Sequence, residues 1–285
     1  MSDSLVKDLI EAGIHFGQRA SVWNPKMSPY IYTKRNSIHI IDIRETVKGL
    51  LLAKKLIART VASGKDVCFV GTKRQSKEVL NVRVPDVGMH TVTERWLGGT
   101  LTNFRTIRSR LKRLEELEGI EQQDNFESYS KKMESQLRRE MRKIKRNLDG
   151  IRNMTKLPGV LVIIDTRRER NALMEARKLG IPTICLIDTD GDPDLADIPI
   201  PGNDDSMRSI DVIVRELCAA VSEGKQQRVE TTGDRESEAK GGGEPQRKRS
   251  SRAKFRSDDA TPSAEPAEVG ATAAGPSGDA APAGK

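Results

Sequence analysis

The apolar positions of this chain form two kinds of pattern: short continuous runs, which predict buried strands, and spacings of three and four residues, which predict helices. The runs fall at residues 66–70, 89–92, 159–164, 182–187 and 198–200. The helical spacings fall at residues 42–62, from residue 76 onward, at 169–179 and at 207–221. Because strands and helices alternate, the pattern predicts an α/β fold built on a doubly wound parallel sheet.

Smaller elements precede the first buried run. Residues 4–12 predict a short amphipathic helix, and residues 13–27 predict an irregular segment. Residues 30–33 and 37–41 alternate between apolar and polar side chains, and the basic residues Lys34 and Arg35 lie with Asn36 between them. This pattern predicts a β-hairpin with a basic tip.

The α/β pattern is interrupted after residue 94. Thr102 or Asn103 can cap a helix whose apolar stripe continues through Leu117. A second helix carries apolar residues spaced by three and four, at Met133, Leu137, Met141, Ile144, Leu148 and Ile151. This is coiled-coil periodicity, and two such helices joined by a short turn predict an antiparallel hairpin.

These patterns divide the chain into three regions. A discontinuous α/β domain takes residues 1–100 and 153–224, and the coiled-coil hairpin is inserted between its halves at residues 101–152. From residue 225 to residue 285, large apolar side chains almost vanish, and Glu, Lys, Ser, Gly, Ala and Pro dominate. Such a segment cannot bury enough surface to offset its ordering entropy, so a disordered tail is expected.

The charge of the chain narrows the class of partner. A net charge of +8 and a pI of about 9.4 favour a polyanion, either nucleic acid or an anionic membrane surface. No apolar run approaches the roughly 20 residues of a membrane span. Residues 105–152 hold fourteen Lys and Arg against nine Asp and Glu, a net charge of +5. A solvated coiled-coil exterior and a protein-docking arm are both compatible with this charge, but the excess of base favours phosphate contacts.

The cysteines indicate the compartment. Cys68, Cys185 and Cys218 lie far apart and within apolar segments, which is typical of buried thiols and not of a disulfide or zinc framework. A reducing compartment is therefore expected, by default the cytoplasm.

A nucleotide-binding α/β enzyme is the main alternative class, because doubly wound sheets bind ligands at the carboxyl ends of their strands. Lys73 and Arg74 follow a predicted strand and precede a helix, a position that favours phosphate. However, the segment lacks the spacing of a phosphate-binding loop, and no G-x-G-x-x-G follows any predicted strand. No Ser/His/Asp constellation can be placed either. These observations favour a protein that is not a nucleotide enzyme and that uses no cofactor, and the nucleotide-binding enzyme stays open as the alternative class.

Acidic residues cluster after the predicted strand at 182–187. The glycine within residues 188–194 is misplaced for an EF-hand, and no distal glutamate closes the site, so a polar loop without a metal is predicted. A divalent ion shared by Asp188 with Asp204 and Asp205 stays open as an alternative. The three histidines lack the spacing of a zinc site.

Seven segments, in their order along the chain, resemble the bacterial-type family of the second protein of the small ribosomal subunit. They are GIHFG at 13–17, WNPKM at 23–27, FVGTKR at 69–74, RWLGGTLTN at 95–103, LPG at 157–159, GIP at 180–182 and IPGNDD at 200–205. The resemblance covers residues 5–224. Two positions depart from it: Gln18 stands where many members have a second histidine, which weakens a metal site beside Asp188 and Asp204, and Pro85 predicts a shortened helix.

The resemblance implies a flavodoxin-like sheet with an inserted helical hairpin. It implies a non-enzymatic component of the small subunit, at the back near the head–body junction, in contact with 16S ribosomal RNA and other small-subunit proteins. It also implies that the protein helps to hold the large mRNA-binding ribosomal protein S-one.

Basic and polar residues of the exposed turns and of the arm are then the predicted RNA contacts, with Arg and Lys on phosphates. They are Lys26, Lys34, Arg35, Asn36, Lys73, Arg74, Arg95, Trp96, Thr102, Asn103, Arg105, Arg138, Arg142, Lys145 and Arg146. Trp96 and Leu97 are also expected to anchor their loop against the sheet, which leaves Arg95 and Arg105 as the main contacts of that segment.

Overall fold

The structure, a computed structural model, describes residues 2–124 and 129–241. Its helices are α1 (Ser2–Glu11), α2 (Ile43–Ala62), α3 (Arg74–Asp86), α4 (Phe104–Asp124), α5 (Lys131–Leu148), α6 (Arg170–Leu179) and α7 (Met207–Gly241). Its strands are β1 (Phe16–Arg19), β2 (Ile31–Arg35), β3 (Ile38–Ile41), β4 (Val67–Val70), β5 (His90–Val92), β6 (Val160–Ile164), β7 (Thr183–Ile187) and β8 (Ile198–Pro201). Short 3-10 segments occupy Pro25–Tyr30, Asp149–Ile151 and Pro193–Leu195.

Five strands form a parallel sheet in the order β5-β4-β6-β7-β8. Numbered along the chain within this sheet, the order is 2-1-3-4-5, which is the order of flavodoxin-like sheets. The strand order reverses between β4 and β6, so a crevice is expected there at the carboxyl ends of the strands. The predicted parallel α/β architecture is confirmed.

The strands of this sheet bury side chains on both faces. Phe69 and Val162 pack in a layer with α1, α2, α3 and α7, whereas Cys68 and Leu161 pack in a layer with α4, α5 and α6. Every residue of β6 and of β7 is buried, which explains why these strands appear in the sequence as unbroken apolar runs. The three cysteines are buried and free, as predicted.

A second, antiparallel sheet has three strands in the order β1-β3-β2. It confirms the predicted hairpin, whose turn is made by Asn36 and Ser37 with φ angles of 48° and 61°. Two successive residues with positive φ make the turn that matches the twist of the flanking strands. β1 lies in the segment predicted to be irregular, because its sequence FGQR shows no alternation and the strand depends on pairing with β3.

Two helices, α4 and α5, lie between β5 and β6, where the α/β pattern of the sequence is interrupted. Both helices are predicted from the sequence. The predicted stripe of α5 is buried at Leu137, Met141, Ile144 and Leu148. Met133, the first residue of the predicted stripe, lies in the first turn of α5 and is exposed. α4 continues to Asp124, past the predicted end at Leu117.

α7 is longer than the sequence pattern predicts. The last helix is expected to end at Val221, whereas α7 continues to Gly241 and takes in the first part of the predicted disordered tail. The extension is rich in Lys, Gln, Arg and Glu, which favour helix, and near its start Gly224 lies against the backbone of Ala58 in α2. The rest of the predicted tail, residues 242–285, lies outside the described residues. Within the described ranges, neither α7 nor any other helix is long and apolar enough to cross a membrane.

Candidate nucleic-acid interface

Lys73 lies after β4 at the carboxyl edge of the parallel sheet, and its ammonium points into a group of carboxylates. Lys73 Nζ lies 2.7 Å from Asp204 Oδ1, 2.6 Å from Asp205 Oδ1 and 3.8 Å from Asp165 Oδ2. Only 16% of its side chain is exposed. This predicted RNA contact is therefore engaged in ion pairs of the protein itself, although the next residue, Arg74, is exposed at the start of α3.

Burial controls the protonation of these carboxylates. It raises the pKa of Asp204 to about 8, against the opposing effect of Lys73, and it raises the pKa of Asp188 to about 6. Asp205 is more exposed, and although burial alone would raise its pKa, hydrogen bonds from Lys73 and Gln18 outweigh burial and lower it. The group thus combines one ionised carboxylate with two that burial makes easier to protonate.

Asp188, Asp204 and Asp205 are the group within the described ranges whose carboxylate oxygens approach one another closely enough for a metal, all within 4.8 Å. The Gln18 amide nitrogen already donates to Asp205 Oδ2 at 2.5 Å and to Asp188 Oδ2 at 3.3 Å. Lys73 donates to Asp204 Oδ1 and to Asp205 Oδ1, so a divalent ion would have to displace its ammonium. Gln18 offers only an amide, which is not among the usual histidine, cysteine and carboxylate ligands of zinc. The residues present do not fit a metal centre, and none is assigned.

The antiparallel sheet is docked across the same edge. The backbone nitrogen of Gln18 donates to Thr189 Oγ1 at 2.9 Å, and that of Asn24 donates to the Thr189 carbonyl at 2.8 Å. A Cβ at Gly17 would lie 2.6 Å from Thr189 Cγ2, so the close approach of the two segments depends on glycine. The chain itself therefore covers the edge at which a doubly wound enzyme would bind its ligand.

Side chains also fill the crevice between β4 and β6. Glu169 is 3% exposed, and it accepts hydrogen bonds from the Thr72 backbone nitrogen at 3.0 Å and from the Thr72 hydroxyl. Arg168 Nε donates to the same hydroxyl at 2.8 Å. Burial raises the pKa of Glu169. A nucleotide at this switch point would have to displace the whole network, which argues against the enzymatic alternative.

Glu175 of α6 organises the loop RWLGGTLTN at 95–103. Its carboxylate accepts hydrogen bonds from Trp96 Nε1 at 3.1 Å and from the backbone nitrogens of Gly99 at 2.8 Å, Leu101 at 3.0 Å and Thr102 at 3.1 Å. Trp96 is 6% exposed, so it anchors the loop in the core, and its ring is not available for stacking on a base. Two predicted RNA contacts, Trp96 and Thr102, are thus engaged in holding the loop.

Glu94 draws two cations together where α3, the loop after β5 and α5 meet. Its Oε2 lies 3.0 Å from Lys77 Nζ and 3.1 Å from Arg146 Nη2, and these hydrogen bonds lower the pKa of Glu94. Arg74 precedes Lys77 by one helical turn, and Arg95 follows Glu94. Both arginines are exposed, with no partner among the residues that the structure describes. We call Arg74, Lys77, Arg95 and Arg146 the junction patch, in which two cations pair with Glu94 and two exposed arginines lie beside them along the chain.

The other predicted contacts fall into two groups. Those exposed without a partner in the described ranges are Lys34 and Arg35 at the end of β2, Asn36 at the hairpin turn and Arg105 on α4. Those engaged within the protein are Lys26 with Asp192 and Asp194, Asn103 with the Thr106 hydroxyl, Arg138 with Glu134, Arg142 with the Arg138 carbonyl and Lys145 with Glu118. Lys77, Glu94 and Glu175 belong to the site but were missed in the sequence, because no motif marks them.

An apolar groove of about 620 Å³ opens between α1, the antiparallel sheet and α2. Its lining includes Val6, Ile10, Tyr32, Ile40 and Val47. Tyr32 is 76% exposed and Ile10 is 45% exposed. Large apolar side chains that are grouped and exposed in this way are typical of a protein-binding surface.

Comparison with known proteins identifies the family. The family model described as Ribosomal protein S2 matches residues 9–224. The chain belongs to the ribosomal protein S2 family. Among its relatives, small ribosomal subunit protein uS2 of Rhodopirellula baltica is 58% identical over 227 residues, which cover 80% of this chain and 87% of the relative. The proteins of the same name from Synechocystis sp. (47% identity, 80% and 85% covered) and Nocardia farcinica (48% identity, 84% of each) are also similar.

Membership of the ribosomal protein S2 family confirms the resemblance and the prediction that the chain is not an enzyme, because this family is structural and non-enzymatic. The geometry explains several of the segments that carried the resemblance. GIHFG contains Gly17, which lies close to Thr189. FVGTKR contains Lys73, which pairs with Asp204 and Asp205. RWLGGTLTN wraps around Glu175. These segments hold the edge of the sheet together.

Proposed function

We propose that this chain is a structural component of the small ribosomal subunit and that it binds 16S ribosomal RNA there. The family match and the three relatives named as small-subunit proteins support its place in the subunit. The junction patch supports RNA binding, and it is the observation that carries the proposal. The protein would serve translation by holding RNA and neighbouring ribosomal proteins in place.

The junction patch suits a phosphate backbone. Glu94 holds Lys77 and Arg146 within about 3 Å of a shared carboxylate, so two cations are kept close together in spite of their repulsion. Arg74 and Arg95 flank this pair, and each can offer a complete guanidinium to a phosphate. Lys34, Arg35, Asn36 and Arg105 provide further exposed contacts of the same kind.

We also propose that α4 and α5 form an antiparallel coiled coil, inserted between the halves of the α/β domain as the sequence predicts. Arg138 lies 3.8 Å from Glu121, and Lys145, farther along α5, lies 3.9 Å from Glu118, earlier in α4. The residue that lies farther along α5 thus pairs with the residue that lies earlier in α4, as expected of two antiparallel helices. The apolar stripe of α5 supplies the buried seam.

The outer face of this arm offers phosphate contacts that the sequence analysis did not select. Arg139 and Lys143 are exposed one helical turn apart, with no partner among the described residues. By contrast, Arg138 and Lys145 pair with carboxylates of the arm. We therefore place the RNA contacts of the arm mainly at Arg139 and Lys143, and the other selected residues of α5 stay predictions.

The apolar groove supports a second contact, with the ribosomal protein S-one. Tyr32 and Ile10 present carbon surface that a phosphate backbone cannot cover, so a protein partner with apolar anchors suits the groove better than RNA. The groove is separate from the junction patch in its residues and elements, so the two contacts can be tested independently.

RNA binding is tested by titrating the full chain with 16S ribosomal RNA over a series of salt concentrations. Replacing Arg95 or Arg74 by Ala should weaken binding and reduce the steepness of the salt dependence by about one unit for each lost phosphate contact. Arg59→Ala is a matched control, because Arg59 is exposed and unpaired among the described residues but lies on α2. If the control lowers the salt dependence as much as Arg95→Ala does, the patch is not the RNA surface.

The S-one contact is tested by co-sedimentation of the purified pair at a salt concentration that suppresses RNA binding. Tyr32→Ser should abolish co-sedimentation and leave RNA affinity unchanged, whereas Arg95→Ala should do the reverse. Unchanged retention of S-one by Tyr32→Ser would place that contact elsewhere.

A further inference from the structure

The loop that carries Arg95 is fixed by one side chain of a distant helix. Five hydrogen bonds run from the loop to the Glu175 carboxylate: those from Trp96 and from the three backbone nitrogens described above, and a fifth from the Thr102 hydroxyl at 3.2 Å. Oε1 accepts the bonds from Trp96 and Gly99, and Oε2 accepts the other three. Glu175 is 8% exposed.

The arrangement requires a carboxylate. Every group that faces Glu175 in these bonds is a donor, and an ionised carboxylate offers only acceptors. Burial alone would raise the pKa of Glu175, but the hydrogen bonds from Gly99, Leu101, Thr102 and Trp96 outweigh burial and lower it, so the group stays ionised at neutral pH. In glutamine, an NH₂ group replaces one of the two carboxylate oxygens. At least two of these donors would then face another donor and lose their acceptor.

The position of Glu175 connects the loop to the sheet. Its neighbours on α6, Leu173 and Ala176, are buried in the same layer as β6 and β7. The α6 helix therefore cannot shift without disturbing the core, and Glu175 transmits that rigidity to the loop. Arg95 directly precedes Trp96, and it has no partner of its own among the described residues that would fix its backbone.

We propose that Glu175 is the positioning residue that holds Arg95 in place for a phosphate of the RNA. This inference rests on the proposed function, because it assigns a cause to the contact made by Arg95. A loop that is ordered before binding loses less conformational entropy on binding, and this is the advantage that Glu175 provides.

The test is a double-mutant cycle in RNA binding between Glu175→Gln and Arg95→Ala, made in the full chain. Glu175→Gln should weaken binding on the order of threefold to tenfold and reduce the salt dependence as Arg95→Ala does. In the double variant, binding should be no weaker than in Arg95→Ala alone, because Glu175 acts through Arg95. Hydrogen exchange should become faster at the Gly99 and Leu101 amides and remain slow in β6.

Glu169→Gln is the matched control. Glu169 is also buried and lies at the start of the same helix, but its hydrogen-bond partner is Thr72 and not the loop. The Glu169→Gln substitution should lower thermal stability without changing the salt dependence of RNA binding. If Glu175→Gln does not fold, Trp96→Phe removes one donor and keeps an aromatic ring in the core, and a smaller effect of the same kind is expected.

Two results would overturn the inference in different ways. If Arg95→Ala weakens binding but the effect of Glu175→Gln simply adds to it, Glu175 is a structural residue without a positioning role. If Arg95→Ala itself leaves RNA binding unchanged, the contact assigned to Arg95 is wrong, and the positioning role falls with it.

Discussion

Lys73→Met separates the two roles that the sequence allows for Lys73, an RNA contact and a structural cation. Methionine keeps most of the length of the side chain and removes its charge. In the structure, the Lys73 side chain is 16% exposed, and its ammonium lies within 2.7 Å of both Asp204 and Asp205. Asp204 itself is 2% exposed. The substitution would therefore leave a buried carboxyl group without its cation.

The size of the effect follows from this burial. Removal of one partner of a fully buried ion pair costs about 3–5 kcal/mol. Here Asp205 is 46% exposed and can be hydrated, so the expected loss is smaller, about 2–4 kcal/mol. For a protein of this size, such a loss lowers the melting temperature by about 4–16 °C.

The pH dependence gives an independent check. Burial raises the pKa of Asp204 from its ordinary value of 3.8 to about 8 in the folded protein, while Lys73 opposes this rise. Without Lys73 the pKa of Asp204 rises further, so above about pH 8 the folded variant still binds a proton that the folded natural chain has released. The stability of the variant then falls more steeply with rising pH than the stability of the natural chain. The loss caused by Lys73→Met should accordingly be larger at pH 9 than at pH 7.

Urea unfolding at the two pH values measures the loss, and RNA titration of the folded variant measures its salt dependence. Lys26→Met is the matched control: Lys26 also pairs with two aspartates, but it is exposed, and its loss should be hardly measurable. If Lys73→Met is as stable as the natural chain and its RNA salt dependence falls by about one unit, Lys73 is an RNA contact and the structural assignment is wrong.

Two further predictions concern backbone positions. Gly49→Ala should destabilise the protein by about 1–3 kcal/mol, because a Cβ there would overlap the Pro199 carbonyl of β8, whereas Gly119→Ala, with no atom near its Cβ, should stabilise α4 by about 0.5–1 kcal/mol. Equal effects of the two substitutions on the urea midpoint would contradict the packing of α2 on β8. Ser37→Gly should stabilise the hairpin by up to about 1 kcal/mol, since Ser37 has a φ of 61°; a lower midpoint would mean that the turn does not have this conformation.

The fold could be predicted wherever its signal is local. β6 and β7 are buried on both faces, so their sequences are continuous apolar runs, and the positive-φ turn at Asn36 and Ser37 lies between two alternating segments. The extension of α7 could not be predicted, because its composition resembles that of a disordered segment. Its first turns instead depend on contact with α2, such as that between Gly224 and Ala58.

The site was less predictable, because its parts come from distant segments. Glu175 lies 79 residues from Trp96 along the chain, and Glu94 lies 52 residues from Arg146. A buried glutamate on a helix has the same local pattern as an exposed one until its donors are known. The sequence therefore located the loop that carries Arg95 but not the side chain that holds it.

Lys73 and Arg74 show why the exposed positive charge of this protein lies outside the crevice in which related architectures bind ligands. Both follow β4, at the strand end next to the switch point, and the sequence gives no reason to treat them differently. The structure turns Lys73 inward, where Asp204 and Asp205 occupy its ammonium, and leaves Arg74 exposed. Because the protein's own side chains fill the crevice, the positive charge that remains available lies on its rim. A surface of this kind can follow an extended phosphate backbone, which no closed pocket could enclose.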